Sequence, residues 1–166
     1  STLRAALMGW MRHGICEEKF WPFVSYPMPE ESDAFDVVSW EKAPQEGATE
    51  NARLYPLAAY YRLANNLEIK RAIHENYVAL IGASVHTGWL IAGTERIRFE
   101  PGVQPLSGHA FVVVGYDDSD ASFVVVNSWG REWGKDGFGR LSYDDLKHDL
   151  TDAWTPLVPR PMLSVP

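Results

Sequence analysis

The apolar positions of this chain change their period several times, and each change marks an element. Leu3, Ala6, Leu7, Trp10 and Met11 recur at helical spacing behind the cap candidates Ser1 and Thr2, and Gly14 stands where such a helix stops. They predict a short amphipathic helix with one buried face. Residues 20–29 are aromatic but carry Pro22, Pro27 and Pro29, which forbid a helix and predict an extended loop. The acidic run that follows, to about Glu50, has no clear period and is expected as loop with short structure. Residues 57–63 are apolar and aromatic enough for a strand. Asn65 or Asn66 can cap a second helix over 67–75, in which Leu67, Lys70, Arg71 and His74 alternate with Ile69 and Ile73. Residues 77–85 read as a buried strand, and 87–104 as a long loop holding a short strand.

Two valine-rich runs carry the sharpest pattern. His109 opens one that ends at Tyr116, and Asn127 closes another that begins at Phe123. Joined by the polar residues 117–122, they read as adjacent antiparallel strands, so the start of the first lies near the end of the second. That pairing predicts His109 beside Asn127. An imidazole held by an amide is the base and its orienter in a Cys-His-Asn catalytic apparatus. Beyond Asn127, Gly130, Gly134, Gly137 and Gly139 interleave with Trp129, Trp133 and Phe138, predicting a tight loop packed by indoles and then a returning strand. Residues 143–150 form a last short helix, with Asp144 and Asp145 in its first turn where carboxylates suit the dipole. Pro156, Pro159, Pro161 and Pro166 make the tail an extended strap.

Composition narrows the function classes. At 166 residues the chain suits one domain, or two small lobes sharing a cleft. A hydrophobic fraction of 46% and a charged fraction of 22% belong to a globular protein. Fifteen Lys and Arg stand against 22 Asp and Glu, a formal charge of −7 with no run of one sign, so no basic footprint for nucleic acid or anionic membrane exists. No apolar stretch has the length of a membrane span. Cys16 is the one cysteine, which excludes an intrachain disulfide and a cysteine-based zinc site and leans toward a reducing, cytoplasmic compartment. His13, His74, His86 and His148 lack ligand spacing, so neither metal nor cofactor is expected. Asp117, Asp118 and Asp120 lack the glycine and closing glutamate of a calcium loop, and a hairpin turn accounts for them.

Gly108-His109-Ala110 running into Val114-Gly115-Tyr116, then Asn127-Ser128-Trp129-Gly130, Trp133-Gly134 and Gly137-Phe138, resembles the C-terminal half of papain-like cysteine peptidases. The motif-rich part covers about 108–143; residues 66–85 resemble the preceding helix and strand of bacterial members, as do His13-Gly14-Ile15-Cys16 and Phe20-Trp21-Pro22-Phe23 after the first helix. The resemblance implies an α+β, papain-like two-lobe fold as a single, N-terminally incomplete domain. About 1–50 would be the remainder of the helical lobe, 51–150 an antiparallel, barrel-like β lobe, and 151–166 the strap. It implies hydrolysis of a polypeptide substrate, with His109 as the base that keeps a sulfur as thiolate and later protonates the leaving amine. Asn127 would accept from the other ring nitrogen, and Trp129 would roof the contact and exclude water. His86 and Gly108 are candidate cleft-wall positions.

The family's nucleophile sits at the start of a long N-terminal helix in a Gly-Ser-Cys-Trp-like run, a few residues after a glutamine of the oxyanion hole. This chain has neither. Cys16 follows a helix and precedes Glu17-Glu18, whose charges disfavour a thiolate, so it reads as a small buried hydrophobe. The resemblance therefore places the nucleophile on an N-terminal segment or a second chain, and expects this chain to be inactive by itself, with an apolar surface where the missing part would pack. Two alternatives stay open: a non-catalytic peptide- or protein-binding module, and an acyl transferase or deamidase on the same scaffold.

Overall fold

The structure, a computed structural model, describes residues 2–22, 43–90, 94–99 and 102–159. The expected loop over 20–29 lies largely outside them; its first residue, Phe20, closes a 3-10 turn, Glu18–Phe20.

Helix α1 (Leu3–His13) begins where the Thr2 hydroxyl accepts from the Ala5 N–H and ends at Gly14, as its sequence pattern requires. Gly14 has φ +76°, and a Cβ there would stand 1.7 Å from the Ala52 carbonyl oxygen, so the helix end and α2 (Ala48–Ala52) meet only because the side chain is absent. Of the apolar face of α1, Leu7 alone is fully buried, and Met11 remains 43% exposed.

Strand β1 (Ala59–Arg62) leads into α3 (Asn66–Asn76), where the Asn65 side chain accepts from the Glu68 N–H. Ile69, Ala72 and Ile73 form its buried face, while Leu67 points outward at 72% exposure. Tyr77, expected within the next strand, instead closes α3 in the left-handed region at φ 68°. β2 (Ala79–Val85) then alternates strictly between buried and half-buried residues, as a strand covered on one face must. β3 (Ser107–Asp117), β4 (Ser122–Val126), β5 (Phe138–Ser142), α4 (Tyr143–Asp149) and β6 (Leu150–Leu157) complete the fold. All strand pairs are antiparallel, in the order β1-β6-β2-β3-β4-β5. Helices α3 and α4 cover the core through Ile69, Ile73 and Leu146 against Ile81, Val113, Phe123 and Val125.

The β3–β4 hairpin pairs Val112 with Val126 and Val113 with Val125, then shifts by a bulge so that Gly115 faces Val124. Within the long loop 87–104, residues Thr87–Trp89 form a 3-10 turn. The short strand expected there is reduced, among the described residues, to a bridge between Arg96 and Arg140.

The tail differs most from its pattern. Its prolines suggested a strap, yet β6 lies inside the sheet between β1 and β2. Pro156 is tolerated because the β2 register ends at Leu80 opposite Trp154, so at Pro156 the strand has β1 as its sole neighbour. Among the described residues, no helix is long and apolar enough to cross a membrane.

Candidate active site

Alternation along β3 places His109, Phe111 and Val113 on one face. Phe111 and Val113 are buried, whereas His109, at the open end of the strand, is half-buried. Its Nε2 lies 2.9 Å from Oδ1 of Asn127, the residue after the last of β4. Asn127 is fixed in turn, because its own N–H donates to the Gly137 carbonyl at 3.0 Å.

Protonation follows from the bonds. Asn127 Oδ1 also accepts the Ser128 N–H at 2.8 Å, which identifies that atom as the oxygen of the amide. An oxygen can only accept, so His109 Nε2 carries the proton and donates. In the neutral ring that leaves the lone pair on Nδ1, the atom able to take a proton from a nucleophile. Asn127 Nδ2 is buried with no hydrogen-bond partner among the described residues.

Indoles enclose the imidazole on two sides. Trp129, 39% exposed, lies with its ring centre 4.8 Å from that of His109 at a 34° tilt. Trp89, 1% exposed, stands edge-on at 6.2 Å and 81°. Trp133 stacks on Trp89 at 5.9 Å, and its Nε1–H donates to the Trp89 carbonyl at 2.7 Å. The glycine frame makes this packing feasible: a Cβ on Gly139 would stand 2.6 Å from Trp133 Cη2. The long-loop reading of 87–104 gave no sign of Trp89; the apolar run Trp89-Leu90-Ile91-Ala92 inside the loop was the available signal.

Gly108, an expected cleft wall, is exposed and has open space where a Cβ would point. With His109, Ala110 and Gly82 it lines a cavity of about 540 Å³ closed on another side by Thr2, Leu3 and Ala6 of the α1 start, with Asp152 as the charged residue of its lining. His86, the other expected wall, is outside that lining and only 4% exposed. Its Nδ1 accepts the Gly88 N–H at 3.1 Å, and its Nε2 lies 3.1 Å from Asp145 Oδ2. Asp145, in the first turn of α4 as expected, is 1% exposed. Burial pushes its carboxyl up from the ordinary aspartate value, and the bond to His86 opposes that rise.

Ligand atoms of His86, Asp145 and Asp149 lie within 4.8 Å of one another, the geometry of a small cation site. The tautomer argues against one: Nδ1 accepts from a backbone N–H, so Nε2 holds a proton that a cation would have to displace. Cys16 is half-buried and lines a different cavity, of about 520 Å³, with His13, Ile15, Trp21 and Ala48. That cavity shares no residue with the one beside His109, and α1, with 11 residues about 16 Å long, separates the two.

A family model described as papain family cysteine protease matches residues 2–152. The chain belongs to the papain family. Xylellain, a cysteine protease from Xylella fastidiosa, superimposes on this papain-family chain with a TM-score of 0.82 at 26% identity, over 96% of the chain and 62% of xylellain. A digestive procathepsin L 3 from Tenebrio molitor larval midgut, at 16% identity, shares the fold with a TM-score of 0.64 over 95% of the chain and 48% of its own. An uncharacterised peptidase C1-like protein of Acanthamoeba polyphaga mimivirus is 24% identical over 93% of the chain and 50% of its own length. A cathepsin B-like cysteine proteinase of Caenorhabditis elegans is 33% identical over 45% of the chain and 17% of its own length. The papain-family chain thus spans half or less of these two curated relatives. Its helices and antiparallel sheet are the α+β papain-like fold that the Gly-His-Ala and Asn-Ser-Trp-Gly runs implied.

Proposed function

We propose that this chain supplies the general base and the orienter of a cysteine peptidase acting on polypeptides, with the nucleophilic thiol contributed by an N-terminal segment or a second chain. His109 Nδ1 takes the thiol proton, and the thiolate attacks the peptide carbonyl. The imidazolium then returns its proton to the departing amine, and water, deprotonated by the same nitrogen, releases the acyl group. Throughout the cycle Asn127 Oδ1 accepts from Nε2, which holds the ring without adding a charge. Trp129 shields the bond from water, strengthening it in a drier setting.

The observation that carries this reading is the double acceptance at Asn127 Oδ1, from Ser128 and from His109, which supports Nδ1 as the base by leaving the lone pair there. The test is covalent labelling of the protein together with its thiol-bearing segment by an epoxysuccinyl reagent. Labelling is expected to vanish in His109→Ala, and undiminished labelling would remove His109 from the mechanism. The 166-residue chain alone is expected to be inert in a peptidase assay.

A binding module on the same scaffold is the second reading. It is favoured by the cavity beside His109, which holds no thiol among its lining residues. Mass spectrometry of the natural protein separates the two: Ser1 as the encoded start with no companion chain would decide for binding.

A further inference from the structure

We infer that His86 and Asp145 form a buried positioning pair that sets the Trp89 indole against the His109 imidazole. The inference rests on reading His109 as the base. His86 immediately precedes the 3-10 turn Thr87–Trp89, and two consecutive N–H groups of the turn end on it. Gly88 N–H donates to the ring Nδ1 at 3.1 Å, and Trp89 N–H donates to the His86 carbonyl at 3.0 Å. A Cβ on Gly88 would stand 2.1 Å from the Arg98 carbonyl oxygen and 2.9 Å from His86 Cε1, so the turn wraps the imidazole closely enough to require glycine.

The turn accepts one tautomer. An Nδ1–H would confront the Gly88 N–H, so the proton must sit on Nε2, where Asp145 Oδ2 receives it at 3.1 Å. Asp145 is anchored to α4, its own N–H bonded to the Ser142 hydroxyl at 3.1 Å. Among the described residues, Asp149 lies within 4.8 Å of the pair, and His148, which bonds Asp149 at 2.9 Å, meets the Phe99 ring that also lies tilted against His86.

The output of the turn is Trp89. Its indole nitrogen has no partner among the described residues, so the side chain is not held by its own polar atom. Its backbone is held at both ends instead, the N–H by His86 and the carbonyl by Trp133 Nε1. The ring lies 4.9 Å from Phe111, 6.2 Å from His109 and 6.3 Å from Trp129, so any change in the turn moves the wall of the imidazole. Asp145 and His86 thus reach the base through the backbone of residues 87–89.

Two near-isosteric substitutions separate this role from packing. In His86→Asn the side-chain oxygen takes the place of Nδ1 and accepts from Gly88 N–H as an Asx turn does. In His86→Gln the amide reaches toward Asp145 but leaves Gly88 without its acceptor. Nitrogen-detected NMR of the 166-residue chain reads the His109 ring tautomer, the exchange of its Nε2–H and the Trp89 ring signals. His86→Asn, which keeps the Gly88 acceptor but loses the bond to Asp145, is expected to shift the Trp89 signals slightly; His86→Gln is expected to shift them further and to lose the slowly exchanging His109 Nε2–H. Equal effects of the two variants, or no effect of His86→Gln, overturn the inference. If His86→Gln loses its folded amide dispersion, Asp145→Ala replaces it, and unchanged His109 and Trp89 signals there overturn the inference as well. An Nδ1–H tautomer at His109 in the parent chain would instead overturn the reading of His109 as base, whatever the variants do.

Discussion

Gly139→Ala tests the glycine–indole frame that supports the site. A Cβ at residue 139 would stand 2.6 Å from Trp133 Cη2 and 3.0 Å from Cζ3, against the roughly 3.5–4.0 Å of relaxed carbon contacts. The indole must retreat by about 1 Å, and overpacking of that kind costs about 1–3 kcal/mol. The same retreat would stretch the buried bond from Trp133 Nε1 to the Trp89 carbonyl, now 2.7 Å, to beyond hydrogen-bond length. Leaving that donor and acceptor unpaired costs about 1–3 kcal/mol more. The expected loss is therefore about 2–6 kcal/mol, a large share of the about 5–15 kcal/mol that holds a domain of this kind. Urea unfolding followed by far-ultraviolet circular dichroism measures it, and a double-mutant cycle isolates the cause. In a Trp133→Phe background the colliding ring edge is gone, so Gly139→Ala is expected to be nearly neutral there. An equal cost in both backgrounds would refute the steric reasoning and place the effect in the β5 backbone.

Asp118 is held below the ordinary aspartate value, first by the hydrogen bond from Lys70 at 2.8 Å and then by the Tyr143 hydroxyl at 2.8 Å. The folded chain therefore binds this proton less readily than the unfolded one, so the stabilisation is complete above the unfolded value and fades as pH falls through the lowered folded one. Asp118→Asn is expected to flatten the acid limb of a plot of stability against pH below about 4; an unchanged limb would discount the Lys70 contact. Asn65→Ala is expected to destabilise by about 1 kcal/mol and Asn65→Gly by only a few tenths, since the lost interaction is the cap on Glu68 N–H. Urea midpoints of the two variants decide it, equal losses excluding a capping role. Cys16 lines a cavity at the far end of α1 from the one beside His109, so its rate of reaction with iodoacetamide is expected to be the same in the parent chain and in His109→Ala. A slower rate in the variant would couple the two residues.

The elements that sequence made legible are those whose partners lie close in the chain. His109 and Asn127 are 18 residues apart and joined by one hairpin, so the valine pattern alone aligned them. The α1 and α3 caps are legible for the same reason, since Thr2 and Asn65 each bond an N–H three residues on. What was missed depends on distant pairing. His86 and Asp145 are 59 residues apart, and nothing local marks an aspartate in the first turn of α4 as buried. Trp89 sits in a turn whose conformation is imposed by that pair and by Trp133, so its loop-like surroundings concealed a core side chain. Tyr77 left its expected place in β2 to become the left-handed residue that ends α3, a role that glycine or asparagine would have announced. Prolines made β6 look like a strap, because the sequence does not say that its proline falls where one neighbour is missing.

The place of β6 has a consequence for synthesis. Translation produces β1 about ninety residues before the strand that joins it to the sheet, since Tyr61 pairs with Thr155 and Arg62 with Trp154. The β2–β3–β4–β5 meander can assemble as it leaves the ribosome, but among the described residues β6 is the sole sheet partner of Ala59–Arg62. A chain truncated before Leu150 is expected to be cleaved by trypsin on the N-terminal side of α3 faster than the whole chain, because β1 would lack its β6 partner. Completion of β6 adds a second strand, beside β2, for the N-terminal helix α1 to pack on.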